Sequence, residues 1–84
     1  MDLEEKEEFE KEKKKLAILY KEYLHTKNEF EGSKIKYYKA LEDNIDENQL
    51  NELKKDCLKK EESSSIATRN YRSLKFRLMA IHAI

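Results

Sequence analysis

The 84-residue chain has no proline, no tryptophan, one glycine and one cysteine. A sheet protein or a doubly wound enzyme needs tight turns that one Gly and no Pro can hardly supply, and a chain this short buries little core. The lone Cys57 cannot close an intrachain disulfide, and the chain does not open with a cationic start leading into an apolar run and a cleavage site. The expectation is an intracellular, reducing compartment. Long apolar runs are also missing: mean hydropathy is −1.02, and the longest apolar stretches fall far below the roughly 20 residues that cross a bilayer. A soluble chain is expected. Nor is there a surplus of either charge, with 18 Lys and Arg against 18 Asp and Glu. Direct, bulk nucleic-acid binding, which needs an excess of basic residues for phosphate contacts, is therefore not expected.

What the chain does have is heptad spacing. Phe9, Leu16, Tyr23, Phe30 and Tyr37 each follow the last by seven, with Leu19 and Leu41 three or four beyond members of that row. Such a row places its side chains along one seam of a helix. Between them stand Glu and Lys with opposite charges three or four apart, as in Glu8 with Lys11 and Glu10 with Lys14, which suits a solvated helix surface. The spacing predicts one helix over 2–42. At about 1.5 Å per residue it would run roughly 60 Å, too long to stand without a partner along its seam.

Residues 43–47 hold a cluster of turn-favouring polar residues, and the bend is placed there. Asn44 or Asp46 is the expected N-cap of the next helix, with Glu47 three residues after Asn44 in capping-box spacing. The second helix is expected over 48–83. It carries a strict 3-4 alternation of Leu50, Leu53, Cys57, Lys60, Ser64, Ala67, Tyr71, Leu74, Leu78 and Ile81. Lys60 and Ser64 break the apolar seam and, with Ser63 and Ser65, predict a kink or interruption there. So short a connection gives antiparallel neighbours. Charge agrees: residues 1–10 are acid-rich, whereas Arg69, Arg72, Lys75 and Arg77 near the other end have no acid among them. A hairpin lays these ends side by side, each matching its helix dipole. The fold class is all-α, a single antiparallel helical hairpin over 1–84. It is coiled-coil-like and open to completion by a partner or by self-association.

No pattern points to a reaction. The carboxylates are abundant and set among lysines rather than paired in an apolar pocket, so no catalytic residues are assigned and the protein is not read as an enzyme. His25, His82 and Cys57 lack metal-ligand spacing on a helix. Gly32 alone builds no phosphate loop, and no cofactor is expected. Cys57 reads as a small seam residue, with a reactive thiol beside Lys54 and Lys60 the less favoured alternative.

The more informative residues are apolar ones outside the seam: Ala17, Ile18, Leu24, Ile35, Tyr38, Ile66, Phe76, Met79 and Ala80. A two-helix coiled coil does not need them. The expected partner-binding residues are Ile18, Leu24, Phe76 and Met79 with Arg72, Lys75 and Arg77 as a basic rim. They would form one strip that takes a scaffold peptide or helix, or a second copy in a homodimer. A membrane role ranks below these, because zero net charge gives no extended cationic face.

Leu19-Tyr20-Lys21-Glu22-Tyr23, preceded by Leu16, resembles the start of the first long helix in the occludin/ELL homology domain. The segment from Tyr71 to Ile84, with Leu74, Leu78, Ile81 and Ile84 interleaved with basic residues, resembles that family's closing pattern. The resemblance spans roughly residues 16–84. It departs from the family in a bend without Pro or Gly, in a shorter stretch around Ser63–Asn70, and in lacking the family's preceding short helix. The resemblance implies a non-enzymatic binding domain. In ELL-type elongation factors the domain engages a scaffold of the transcription elongation machinery, and in occludin a scaffold beneath tight junctions. The nuclear branch is favoured, which implies nuclear localisation. The alternative is a structural coiled-coil segment, of a BAR-type membrane-shaping protein or a junctional scaffold-binding tail.

Overall fold

The computed structural model describes residues 2–82, apart from the side chain of His82. Two helices make up the described chain, α1 (Leu3–Glu42) and α2 (Glu47–His82). They fold back on each other into an antiparallel hairpin of 63 × 16 × 15 Å, which is the expected all-α architecture. Ala83 and Ile84, and with them the end of the expected second helix and of the family-like closing pattern, lie outside the described residues.

Each helix end is set by local chemistry. Asp2 caps α1, its carboxylate accepting from the Glu5 N–H at 2.9 Å, one of the donors that a helix start leaves unpaired. At the other end Asn44 takes a left-handed conformation, φ 54°. Its N–H donates to the Leu41 carbonyl at 3.4 Å, while the Ile45 N–H reaches back to the Ala40 carbonyl at 3.3 Å. These two reverse bonds make a Schellman ending, a position usually filled by glycine and, failing that, by asparagine. Asn44 therefore closes α1 and does not open α2. The first backbone bond of α2 runs from the Leu50 N–H to the Asp46 carbonyl at 3.0 Å, so Asp46 stands at the entry to the second helix and Glu47 is already helical.

The α1 face turned inward is more regular than its apolar residues suggest. Phe9, Glu12, Leu16, Leu19, Tyr23, Thr26, Phe30, Ser33, Tyr37 and Ala40 are all buried or half-buried, an unbroken 3-4 alternation from Phe9 to Ala40. Heptad letters follow directly: Phe9 and its sevenfold successors are a, and Glu12 and its successors are d. Leu41, expected in the seam, is an e residue and is 44 % exposed, while Ala40 beside it is buried. A one-residue step around a helix is about 100°, enough to carry a side chain off the seam.

On α2 the a row is Leu50, Cys57, Ser64, Tyr71 and Leu78, and the d row is Leu53, Lys60, Ala67, Leu74 and Ile81. Leu78, Leu74 and Ala67 are the best-buried members of these rows. Ile81 is 63 % exposed, although α1 extends past it to Leu3. Lys60 and Ser64 do not interrupt α2, which runs without a break, and both stay half-buried in the seam. Lys60 is accommodated because its ammonium reaches Asp56 at 3.1 Å and, across the hairpin, Glu29 at 3.4 Å, while its stem covers the seam.

The cross-links Glu29–Lys60 and Glu12–Arg77 fix the register. Glu12 then comes level with Leu78, Ser33 with Cys57 and Ala40 with Leu50. The middle layers are small or polar, and the hydroxyls of Thr26 and Ser33, like that of Thr68 beside the seam, are satisfied within their own helix. Thr26 Oγ1 donates to the Glu22 carbonyl at 2.9 Å, Ser33 Oγ to the Phe30 carbonyl at 2.7 Å, and Thr68 Oγ1 to the Ser64 carbonyl at 2.7 Å. Ser33 can therefore be buried without demanding a partner on α2.

Candidate partner-binding face

With a and d in the seam, antiparallel packing puts the e and b residues of both helices on one flank and the g and c residues on the other, with f on the backs. The two flanks differ in chemistry.

The g/c flank carries the ion pairs. Arg77 Nη2 donates to Glu12 Oε1 at 2.5 Å, and Lys60 joins Glu29 and Asp56. His25 Nε2 lies 4.0 Å from Glu29 on the same side. The bond that Lys60 donates to Asp56 is the main cause that holds its ammonium above its ordinary value of 10.5, opposed by partial desolvation and assisted by Glu29. Shallow grooves on this flank are lined by Lys15, Leu19, Asn70, Ser73, Leu74 and Arg77 near the open end, and by His25, Glu29, Gly32 and Lys36 toward the middle.

The e/b flank carries rings and lysines. Tyr20, an e residue, packs against Tyr71 across the seam with centroids 5.3 Å apart, and Tyr71 stacks on Tyr23 at 5.5 Å and 14°. Four e-position lysines lie over the seam ring four residues earlier: Lys13 over Phe9 at 5.3 Å, Lys27 over Tyr23 at 6.0 Å, Lys34 over Phe30 at 4.6 Å and Lys75 over Tyr71 at 5.7 Å. A cation over a ring face is favourable by about 0.5–1 kcal/mol at exposed sites. Where residues 13–41 face α2, this flank has Lys13, Lys27, Lys34, Lys54, Arg72 and Lys75 against Glu31 and Glu61. Its exposed apolar members are Tyr20, Leu24, Tyr38, Leu41, Leu58 and Met79.

The residues expected to form one strip are all exposed, but the structure divides them. Leu24, Arg72, Lys75 and Met79 share the e/b flank. Ile18 is a c residue on the opposite flank, where Arg77 is engaged with Glu12. Phe76, 66 % exposed, is an f residue on the back of α2. A helix hairpin presents surfaces about 100° apart at successive residues, so Lys75, Phe76 and Arg77 cannot face one groove.

Tyr20 was not among the expected binding residues, and it is the ring that joins the e/b flank to the seam. Its signal in the sequence is its place in the e row, Lys13, Tyr20, Lys27, Lys34. The aromatic-x-x-x-Lys spacing at Phe9, Tyr23, Phe30 and Tyr71 marks the same flank.

Among the described residues no group of three or more His, Cys, Asp or Glu is placed to hold a metal ion, and no helix is long and apolar enough to cross a membrane. Cys57 is a half-buried free thiol in the seam, level with Ser33. The chain matches no family model, no curated protein and no solved structure.

Proposed function

We propose that the protein is a non-enzymatic protein-interaction module, a helical hairpin whose exposed apolar flank takes a further helix. The observation that carries this reading is the poverty of the two-helix core. Among the described residues only Ala40, Ala67, Leu74 and Leu78 are buried apolar side chains, whereas Tyr20, Leu24, Tyr38, Leu58 and Met79 on the e/b flank are left exposed. Apolar surface of that extent on a small domain marks an interaction site, and helix-in-groove docking is the mode that suits a furrow between two long helices.

The finer reading rests on the resemblance to the occludin/ELL domain. Under it the partner is a scaffold of the transcription elongation machinery and the protein is nuclear. Leu74 and Leu78 of the family-like closing pattern are buried in the seam, so they support packing, and of the residues between them only Lys75 falls on the e/b flank.

The test is cross-linking of the bait in nuclear extract through its lysines, followed by mass spectrometry of the linked peptides. The expected result is a helical partner segment linked to Lys27 or Lys75 and lost in Tyr20→Glu/Leu24→Glu at unchanged helicity. Linked peptides from elongation scaffolds would support the finer reading, and peptides from other proteins would remove it. Absence of any linked partner, with the chain alone in solution, would overturn the module reading.

A further inference from the structure

The two flanks are balanced differently, and that difference selects the partner's chemistry. The ion pairs Glu12–Arg77, Glu29–Lys60, Asp56–Lys60 and Glu52–Lys55, and the contact of His25 with Glu29, all lie away from the e/b flank. Four lysines of that flank, Lys13, Lys27, Lys34 and Lys75, are held over seam rings instead. A ring beneath an ammonium restricts its side chain without neutralising its charge, so part of the ordering cost of meeting a carboxylate is met before binding. Building on the module reading, we infer that the e/b flank is the docking face for an acidic amphipathic helix of a partner protein. Tyr20 and Leu24 are its apolar anchors, and Lys13, Lys27, Arg72 and Lys75 form its charged rim.

Other occupants fit less well. A second copy placed on this flank would set one basic row against another, and like charges across an interface oppose association. A bilayer takes up protruding apolar side chains on the same plane as the basic ones. Here Ile35 and Phe76, among the most exposed apolar residues at 67 % and 66 %, sit on the outer backs of α1 and α2, while the Tyr20 ring is drawn into the furrow against Tyr71.

The experiment is a selection against the whole chain from a displayed library of amphipathic helices of about three heptads. Leu is fixed at the seam positions, and the flanking positions are Glu or Lys at random. Acidic clones are expected to dominate. At about 0.15 M salt a selected acidic peptide should bind about tenfold more weakly to Lys27→Glu/Lys75→Glu. It should bind unchanged to Lys36→Glu/Lys59→Glu, which reverses charge on the g/c flank, with circular dichroism confirming helicity of both variants. Dominance of basic or mixed clones, or equal loss in the two variants, would overturn the inference and leave the module reading standing. Failure to select any helix would count against both. Phosphatidylcholine/phosphatidylserine vesicles that bind the wild type and not Lys27→Glu/Lys75→Glu, with no acidic clones selected, would assign the flank to a membrane instead. A dimer in sedimentation that the same variant splits would assign it to a second copy.

Discussion

Asn44 separates two accounts of the hairpin bend, and substitutions there have opposite signs under each. As an N-cap of α2, Asn44 would be replaced by Ser or Asp without loss and by Gly at a few tenths of a kcal/mol. The structure instead puts Asn44 at φ 54° with the reverse bonds Asn44 N–H to Leu41 and Ile45 N–H to Ala40. A left-handed residue with a Cβ costs roughly 1–2 kcal/mol, partly relieved for Asn by its short polar side chain. Glycine removes that cost and adds about 0.5–1 kcal/mol of unfolded-state entropy. The net expectation is that Asn44→Gly stabilises by about 0.5 kcal/mol, while Asn44→Ala and Asn44→Ser destabilise by about 1 kcal/mol. In a domain of this size 1 kcal/mol moves the melting midpoint by about 4–8 °C. The midpoint should therefore rise by about 3 °C for Asn44→Gly and fall by about 5 °C for the other two. Thermal and urea unfolding followed by far-UV circular dichroism gives all three. A lower midpoint for Asn44→Gly together with an unchanged one for Asn44→Ser would refute the left-handed ending and restore Asn44 as the cap of α2.

Gly32 stands in the interior of α1, and a Cβ added there would meet nothing within 4 Å. Gly32→Ala should raise stability by about 0.5–1 kcal/mol, read by the same urea titration, and a loss would mean that something packs against that position. Leu78 is fully buried at 0 % exposure, so Leu78→Ala should cost about 2–3 kcal/mol. Exposed Leu58→Ala should stay within about 0.5 kcal/mol in the same chemical-denaturation series, and similar costs for the two would contradict the seam. Lys60 has its pKa raised above 10.5, first by its bond to Asp56. Its contribution is therefore fully present below that ordinary value and is lost as pH climbs through the folded value. Wild type minus Lys60→Met stability, measured by denaturation across alkaline pH, should be flat through neutrality and fall only above about pH 10.5. A fall between pH 7 and 9 would contradict the pairing.

Chain composition and spacing determined the helices, their number and their antiparallel return. With no proline, Lys and Glu at three and four, and apolar residues every seven, no other secondary structure satisfies the backbone and buries the seam. The side of that seam on which each residue falls was less legible. Leu41 is more apolar than Ala40, and hydrophobicity alone favours it, but a one-residue step is about 100° of rotation and only the packed partner fixes the phase. Lys60 and Ser64 read as a break in α2, yet Glu29 and Asp56 compensate the one and the other sits half-buried in an unbroken helix. Glu29 is distant in sequence, so that compensation exists only once the hairpin has closed. Asn44 fits both a cap and a left-handed ending from local sequence. Tertiary structure decided it, because the direction in which the chain must turn selects which helix the residue terminates. The candidate site shows the same division: the chain spells out the lysines and rings, but their gathering on one flank, with Ile18, Phe76 and Arg77 turned elsewhere, follows from the phase of two helices packed together.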